Sequence, residues 1–175
     1  DNDVLWGARY GGDINTINWE RNDGKDASGK PIFTRREIAT DSTVTRQPSL
    51  ADVDSDGDLD VVTYKGYLYQ NNGSGTFTAI EDRLFHSHYD TYSIFSADLN
   101  QDGKADFITS FAWYENTGDL TFIEHDVQNE HHRTPAFKKA VDMDGDGDLD
   151  LLTNTEWYEN IGDNCPGVSN PDQAD

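Results

Sequence analysis

Three acidic stretches hold the residues best suited to chemistry. Asp52-Val53-Asp54-Ser55-Asp56-Gly57-Asp58-Leu59-Asp60 has counterparts in Asp98-Leu99-Asn100-Gln101-Asp102-Gly103-Lys104-Ala105-Asp106 and Asp142-Met143-Asp144-Gly145-Asp146-Gly147-Asp148-Leu149-Asp150. In a tight loop, side chains at positions one, three and five converge on one point, and glycine at position six permits the reversal. Position seven can add a backbone carbonyl, from Asp58, Lys104 or Asp148, with its side chain turned to solvent. Aspartate at position nine closes the shell. Oxygen ligands of this number suit Ca²⁺ better than Mg²⁺, and zinc would favour nitrogen or sulfur. The expected ligand sets are Asp52, Asp54, Asp56 and Asp60; Asp98, Asn100, Asp102 and Asp106; and Asp142, Asp144, Asp146 and Asp150, for about three ions. These are not EF-hands, because position twelve is Thr63, Thr109 or Thr153 where a bidentate Glu is required. Asn100 and Lys104 leave the second loop least negative, so it is expected to bind most weakly. The ordinary role of such an ion is structural: without it, paired carboxylates repel one another and folding energy is lost.

A second motif runs between the acidic ones. Trp113-Tyr114-Glu115-Asn116-Thr117-Gly118 recurs as Trp157-Tyr158-Glu159-Asn160-Ile161-Gly162. Looser copies are Leu68-Tyr69-Gln70-Asn71-Asn72-Gly73 and Asn18-Trp19-Glu20-Arg21-Asn22-Asp23-Gly24. Two readings stay open for Trp19, Tyr69, Trp113, Tyr114, Trp157 and Tyr158. One is packing between neighbouring sheets. The other is a sugar-stacking platform, with Glu115, Asn116, Glu159 and Asn160 supplying hydrogen bonds.

The elements that position these motifs follow from the repeat. The acidic stretches start 46 and 44 residues apart, a period that signals a solenoid or a propeller. Short β-prone runs follow each acidic loop, at Leu59 to Tyr64, Ala105 to Phe111 and Leu149 to Thr153. The aromatic strand comes next and ends in an Asn/Gly turn. A further strand follows it and a short one precedes the loop, giving four strands per unit, as in a propeller blade. Asp1-Asn2-Asp3-Val4-Leu5 aligns with Asp58-Leu59-Asp60-Val61-Val62, so the sequence opens inside a repeat. The expected fold is an all-β propeller of about four blades of four-stranded antiparallel sheet, with three, four, four and three strands. Its units are roughly 1–45, 46–90, 91–134 and 135–163, before a short tail at 164–175.

Composition narrows the function. The 175 residues fit one domain and carry 13 Lys plus Arg against 34 Asp plus Glu, for a net charge of -21. That surface repels a phosphate backbone and anionic lipid, so neither nucleic acid nor membrane insertion is expected. No apolar run approaches the roughly 18 residues of a span, and no signal segment is recognised. Aromatic residues at 11%, and carboxylates that cluster in register, argue against disorder. Cys165 stands alone and fixes no redox compartment. His86, His88, His125, His131 and His132 read as surface residues, and no catalytic motif is present. Binding is therefore expected, not catalysis.

The two recurring motifs resemble the FG-GAP or VCBS-type repeat of integrin-alpha-like β-propellers. That resemblance implies a ring of usually seven blades, of which this sequence would be a portion, with calcium in the loop between a blade's first two strands. It also permits carbohydrate binding between blades, as in some lectins of that type. Gly162 to Asp175 resembles the opening of a thrombospondin type 3 repeat, which implies a calcium-binding stalk at 164–175 whose cysteine pairs with one in a neighbouring repeat. Both resemblances imply a secreted or cell-surface protein. The expectation is an extracellular, lectin-like recognition or adhesion module. The alternative is a structural module that binds protein partners or self-associates through open blade edges.

Overall fold

A computed structural model of the chain describes residues 3–10, 14–40, 48–85, 94–110, 112–127 and 137–160. The tail at 164–175, Cys165 and four of the five histidines lie outside these residues. The described residues form fourteen strands in four antiparallel sheets. The first sheet is β1 (Val4–Tyr10), β2 (Ile14–Lys25) and β3 (Pro31–Thr40). The second is β4 (Ser49–Ala51), β5 (Asp60–Val62), β6 (Leu68–Asn71) and β7 (Phe77–Ala79). The third is β8 (Ile94–Ala97), β9 (Asp106–Thr109), β10 (Ala112–Gly118) and β11 (Thr121–Asp126). The fourth is β12 (Lys139–Val141), β13 (Asp150–Leu152) and β14 (Trp157–Tyr158). Each acidic loop joins the first two strands of its sheet, and strand order follows the chain in all four.

Alternation along the strands gives every sheet a forward and a backward side. In the third sheet, Leu99, Ile108 and Trp113 face forward into a core shared with Phe137 and Leu151 of the fourth. Phe107 and Tyr114 face back into a core with Val53, Val62 and Leu68 of the second. There Phe85 stacks on Tyr114 at 4.0 Å. Val61 and Tyr69 of the second sheet face back toward Ile17 of the first. One rule covers these contacts: the first aromatic-motif residue faces the following sheet, and the second faces the preceding one.

Three cores therefore join four sheets in sequence. Among the described residues, no apolar core joins the fourth sheet to the first, and no sheet closes on itself. The strand counts of three, four, four and three are those expected from the repeat. The architecture of the described residues is an open succession of antiparallel sheets, all-β as expected from the repeat, with no sheet closed into a barrel or propeller.

Candidate metal centres and inter-sheet clefts

The acidic loops are wound around backbone amides. In the first, Asp52 accepts from the amides of Asp56 and Gly57, each at 3.0 Å. In the second, Asp98 accepts from Asp102 at 3.0 Å and Gly103 at 2.9 Å. In the third, Asp142 accepts from Gly145 at 2.6 Å, one residue earlier. Position five then accepts from position seven: Asp56 from Asp58 at 2.9 Å, Asp102 from Lys104 at 2.9 Å and Asp146 from Asp148 at 3.1 Å. Position six is left-handed in all three loops, at Gly57, Gly103 and Gly147. A Cβ there would meet nothing within 4 Å, so glycine is required by backbone angle and not by crowding. Position four is left-handed as well, at Ser55 (φ 62°), Gln101 (φ 58°) and Gly145 (φ 85°).

Side chains of Asp52, Asp54 and Asp56 bring one carboxylate oxygen each to within 4.8 Å of the others, and so do Asp142, Asp144 and Asp146. Three such oxygens are a donor set for a hard cation. In the second loop, Lys104 Nζ lies 2.6 Å from Asp102 Oδ2. Burial alone would raise the Asp102 carboxyl, but the Lys104 ammonium and amide outweigh it and hold the group below its ordinary value. The third loop behaves differently. Burial, then the neighbouring Asp146, Asp150 and Asp144, push the Asp148 carboxyl up to about 6. Its Oδ1 is enclosed and finds no donor among the described residues.

Position nine holds a fully buried carboxylate that fastens the loop to its sheet. Asp60 accepts from the amides of Val53 (3.1 Å) and Asn71 (2.8 Å). Asp106 accepts from Leu99 (3.0 Å) and Asn116 (2.9 Å), and Asp150 from Met143 (2.9 Å) and Asn160 (2.8 Å). Each oxygen keeps one lone pair for another partner. Burial raises the Asp60 and Asp106 carboxyls, and the amide bonds only partly offset it. Asp3 makes the same fastening, to Asn22 at 2.8 Å, and takes the Trp19 indole N–H on its other oxygen at 2.9 Å.

The Asn that follows each aromatic pair is a staple. Asn116 Nδ2 donates to Ala105 O in its own unit and to Val53 O in the preceding one. Asn160 Nδ2 donates to Leu149 O and Leu99 O in the same pattern. Trp113 and Tyr114 are buried in the inter-sheet cores, as is Tyr69. With Asn116 and Asn160, these residues do structural work and offer no platform to a sugar. Trp19, Tyr158 and Glu115 are half-buried, while Trp157 and Glu159 are exposed.

Several contacts carry no signature in the repeat itself. Gln70 donates to Asp54, linking aromatic motif to loop. In the next unit the chemistry is reversed, since Asn100 donates to Glu115 at 3.3 Å. His125 also meets Glu115 at 2.7 Å and stacks on Trp113 at 4.3 Å. Position-seven side chains do not simply point to solvent. Asp58 lies over Gly73, where a Cβ would sit 2.4 Å from its carboxylate, and the Lys104 stem passes close to Gly118.

Two clefts open between units. One, of about 370 Å³, separates the first and second sheets and is lined by Trp19, Phe77, Leu5, Ile38, Leu50 and Leu59, with Asp3, Arg21, Asn71 and Ser74 among its polar groups. Trp19 meets Phe77 edge-on at 6.3 Å and covers Gly75, where any Cβ would strike the indole. The other, of about 340 Å³, lies between the second and third loops, bridged by Gln101 Nε2 to Gly147 O at 3.0 Å. Neither cleft is lined by His125.

Residues 64–109 match the FG-GAP-like repeat, a stretch that runs from the end of the second sheet's loop-proximal strands through β9 and includes the second acidic loop. No curated protein and no solved structure matches the chain. Among the described residues, no helix is long and apolar enough to cross a membrane.

Proposed function

We propose that this chain is an extracellular, calcium-stabilised recognition module of the β-propeller type, which binds carbohydrate in the cleft between its first and second sheets. The observation that carries the reading is the convergence of carboxylate oxygens in register, at Asp52, Asp54 and Asp56 and again at Asp142, Asp144 and Asp146. Like charges held this close cost folding energy unless a cation offsets them. The raised Asp148 carboxyl, with one oxygen lacking a donor, is the kind of strain that an ion relieves. Ion binding of this sort orders loops and catalyses nothing, so the activity proposed is binding.

The cleft supports the second half of the reading. An aromatic face beside a carboxylate, a guanidinium, an amide and a hydroxyl is a suitable lining for a sugar, which offers both C–H and O–H groups. A glycan array probed with the calcium-loaded chain, and repeated in EGTA, tests it. Selective binding that is lost in EGTA, and lost in a Trp19→Ala variant that keeps its strand content by circular dichroism, is the expected result. Binding indifferent to Trp19 would remove the cleft from consideration. A calcium titration is expected to give two tighter sites and one weaker one, the weak site being the Lys104 loop.

A further inference from the structure

The first two inter-sheet interfaces use the same positions but fill them in opposite ways. Asn71 pairs with Phe77 across the turn of the second sheet, and Asn116 with Phe122 across that of the third. Five residues lie between the partners in both turns, so Gly75 stands where the third sheet has Leu120. Trp19 in turn stands where the second sheet has Leu68. Leu68 and Leu120 both belong to the core between the second and third sheets. Between the first and second sheets the bulk has moved to one partner, with Trp19 set against Gly75.

Backbone angle alone does not demand glycine there. Leu120 holds φ 56° where Gly75 holds 76°, so the turn accepts a leucine at this position. What excludes a side chain at Gly75 is the indole: a Cβ would lie 2.5 Å from Trp19 Cζ3 and 2.7 Å from Cη2. The indole is held on three sides. Its Nε1 donates to Asp3 Oδ2 at 2.9 Å, its six-membered ring rests on Gly75, and Phe77 meets it edge-on. Trp113, at the same motif position in the third sheet, is fully buried, whereas Trp19 is half-buried and lines the cleft.

We infer that Gly75 is the positioning residue of this cleft: it exchanges a buried leucine pair for one aromatic ring, fixed in place and open to a ligand. The inference rests on the reading of the cleft as a carbohydrate site, and it narrows the ligand to an uncharged sugar. Among the described residues, Arg21 is the only cation lining the cleft, and its Nε is committed to Asp23 Oδ1 at 2.7 Å. Each Asp3 oxygen accepts one N–H and keeps a lone pair for a sugar hydroxyl. A carboxylate there, on a chain of charge -21, repels a uronate, a sialic acid or a sulfate. A neutral ring that lays its C–H face on the indole and turns hydroxyls to Asp3 fits both groups.

The test is a double-mutant cycle on the full, calcium-loaded chain, read by melting temperature and by glycan array. Gly75→Leu drives a side chain into the indole and is expected to lower the melting temperature by about 4–10 °C. Trp19→Leu removes bulk and is expected to lower it as well. Combining Trp19→Leu with Gly75→Leu restores the Leu68 and Leu120 arrangement, and the double variant is expected to melt above Gly75→Leu alone, a clear departure from additivity. That same folded double variant is expected to lose sugar binding by at least about tenfold. The native chain is expected to select neutral glycans over sialylated, uronate-bearing and sulfated ones. Additive losses in melting temperature would overturn the positioning role. A double variant that binds like the native chain would overturn the platform, and a preference for acidic glycans would overturn the ligand class. A blank array for the native chain would instead overturn the carbohydrate reading of the cleft, while the melting cycle would still decide whether Gly75 places the indole.

Discussion

The first and second acidic loops share their backbone almost residue for residue but differ in charge: the second carries its own ammonium and the first does not. Both tuck the amides of positions five and six under the first aspartate, and both are left-handed at positions four and six. Both fasten position nine to the amide of the following Asn. Yet Lys104 brings an ammonium to Asp102 where the first loop has Asp58, a further carboxylate. Even the link to the aromatic motif is inverted, from Gln70 giving to Asp54 to Asn100 giving to Glu115. Backbone amides set the loop's shape, and side chains set its charge, so each can vary without the other.

The largest effect should come from breaking what the loops share. Asp60→Ala and Asp106→Ala each strand two buried amides, for a loss of about 2–5 kcal/mol. The loss is expected to be similar in the two loops and to persist in chelator, as measured by urea denaturation, with any further loss in calcium reporting position nine as a ligand. A cost confined to one loop would break the comparison. Next comes a change to what differs by ion. Asp54→Ala is expected to lower the melting temperature in calcium by several degrees and by less in EGTA; equal losses would sink the ligand assignment. Smaller again is Lys104→Asp, which should raise calcium affinity at the second loop by about tenfold, by removing the ammonium that pairs with Asp102 and adding negative charge beside the loop. It should also make the chelated protein less stable. A titration unchanged by this substitution would show that the lysine does not substitute for a cation.

The smallest effect lies outside the loops. Burial raises the Tyr114 hydroxyl well above its ordinary value, with Glu124 adding to the shift. The folded state therefore holds this proton more tightly than the unfolded chain does. Its contribution is complete below about pH 10, the ordinary tyrosine value, and is lost as pH rises further. Tyr114→Phe should flatten that alkaline decline and leave neutral stability nearly unchanged.

Much of this was legible in the sequence because a period of about 45 residues exposes the strands by comparison with one another. The converging carboxylates were legible for the same reason. The left-handed position four was hidden behind Ser55 and Gln101, and only Gly145 betrayed it. Position nine reads as a ligand because a carboxylate offers the same oxygens to an ion and to an amide; what the sequence does not reveal is that each oxygen already accepts one amide and keeps one lone pair. The position-seven side chains read as solvated because the space above Gly73 and Gly118 arises from a turn distant in sequence. Burial of Trp113 and Tyr114 depends on which neighbour each side of the sheet meets, and a single strand's pattern does not specify that. Closure of the ring is a question of the same kind.

The Asn staples run one way. Asn116 reaches back to the loop of the second sheet and Asn160 to that of the third. The bond is lost to both partners at once: a disordered first loop takes a carbonyl from Asn116, and a disordered Asn116 turn leaves the Val53 carbonyl without its donor. Each staple therefore makes the order of one unit a condition for the order of its neighbour, in both directions along the chain.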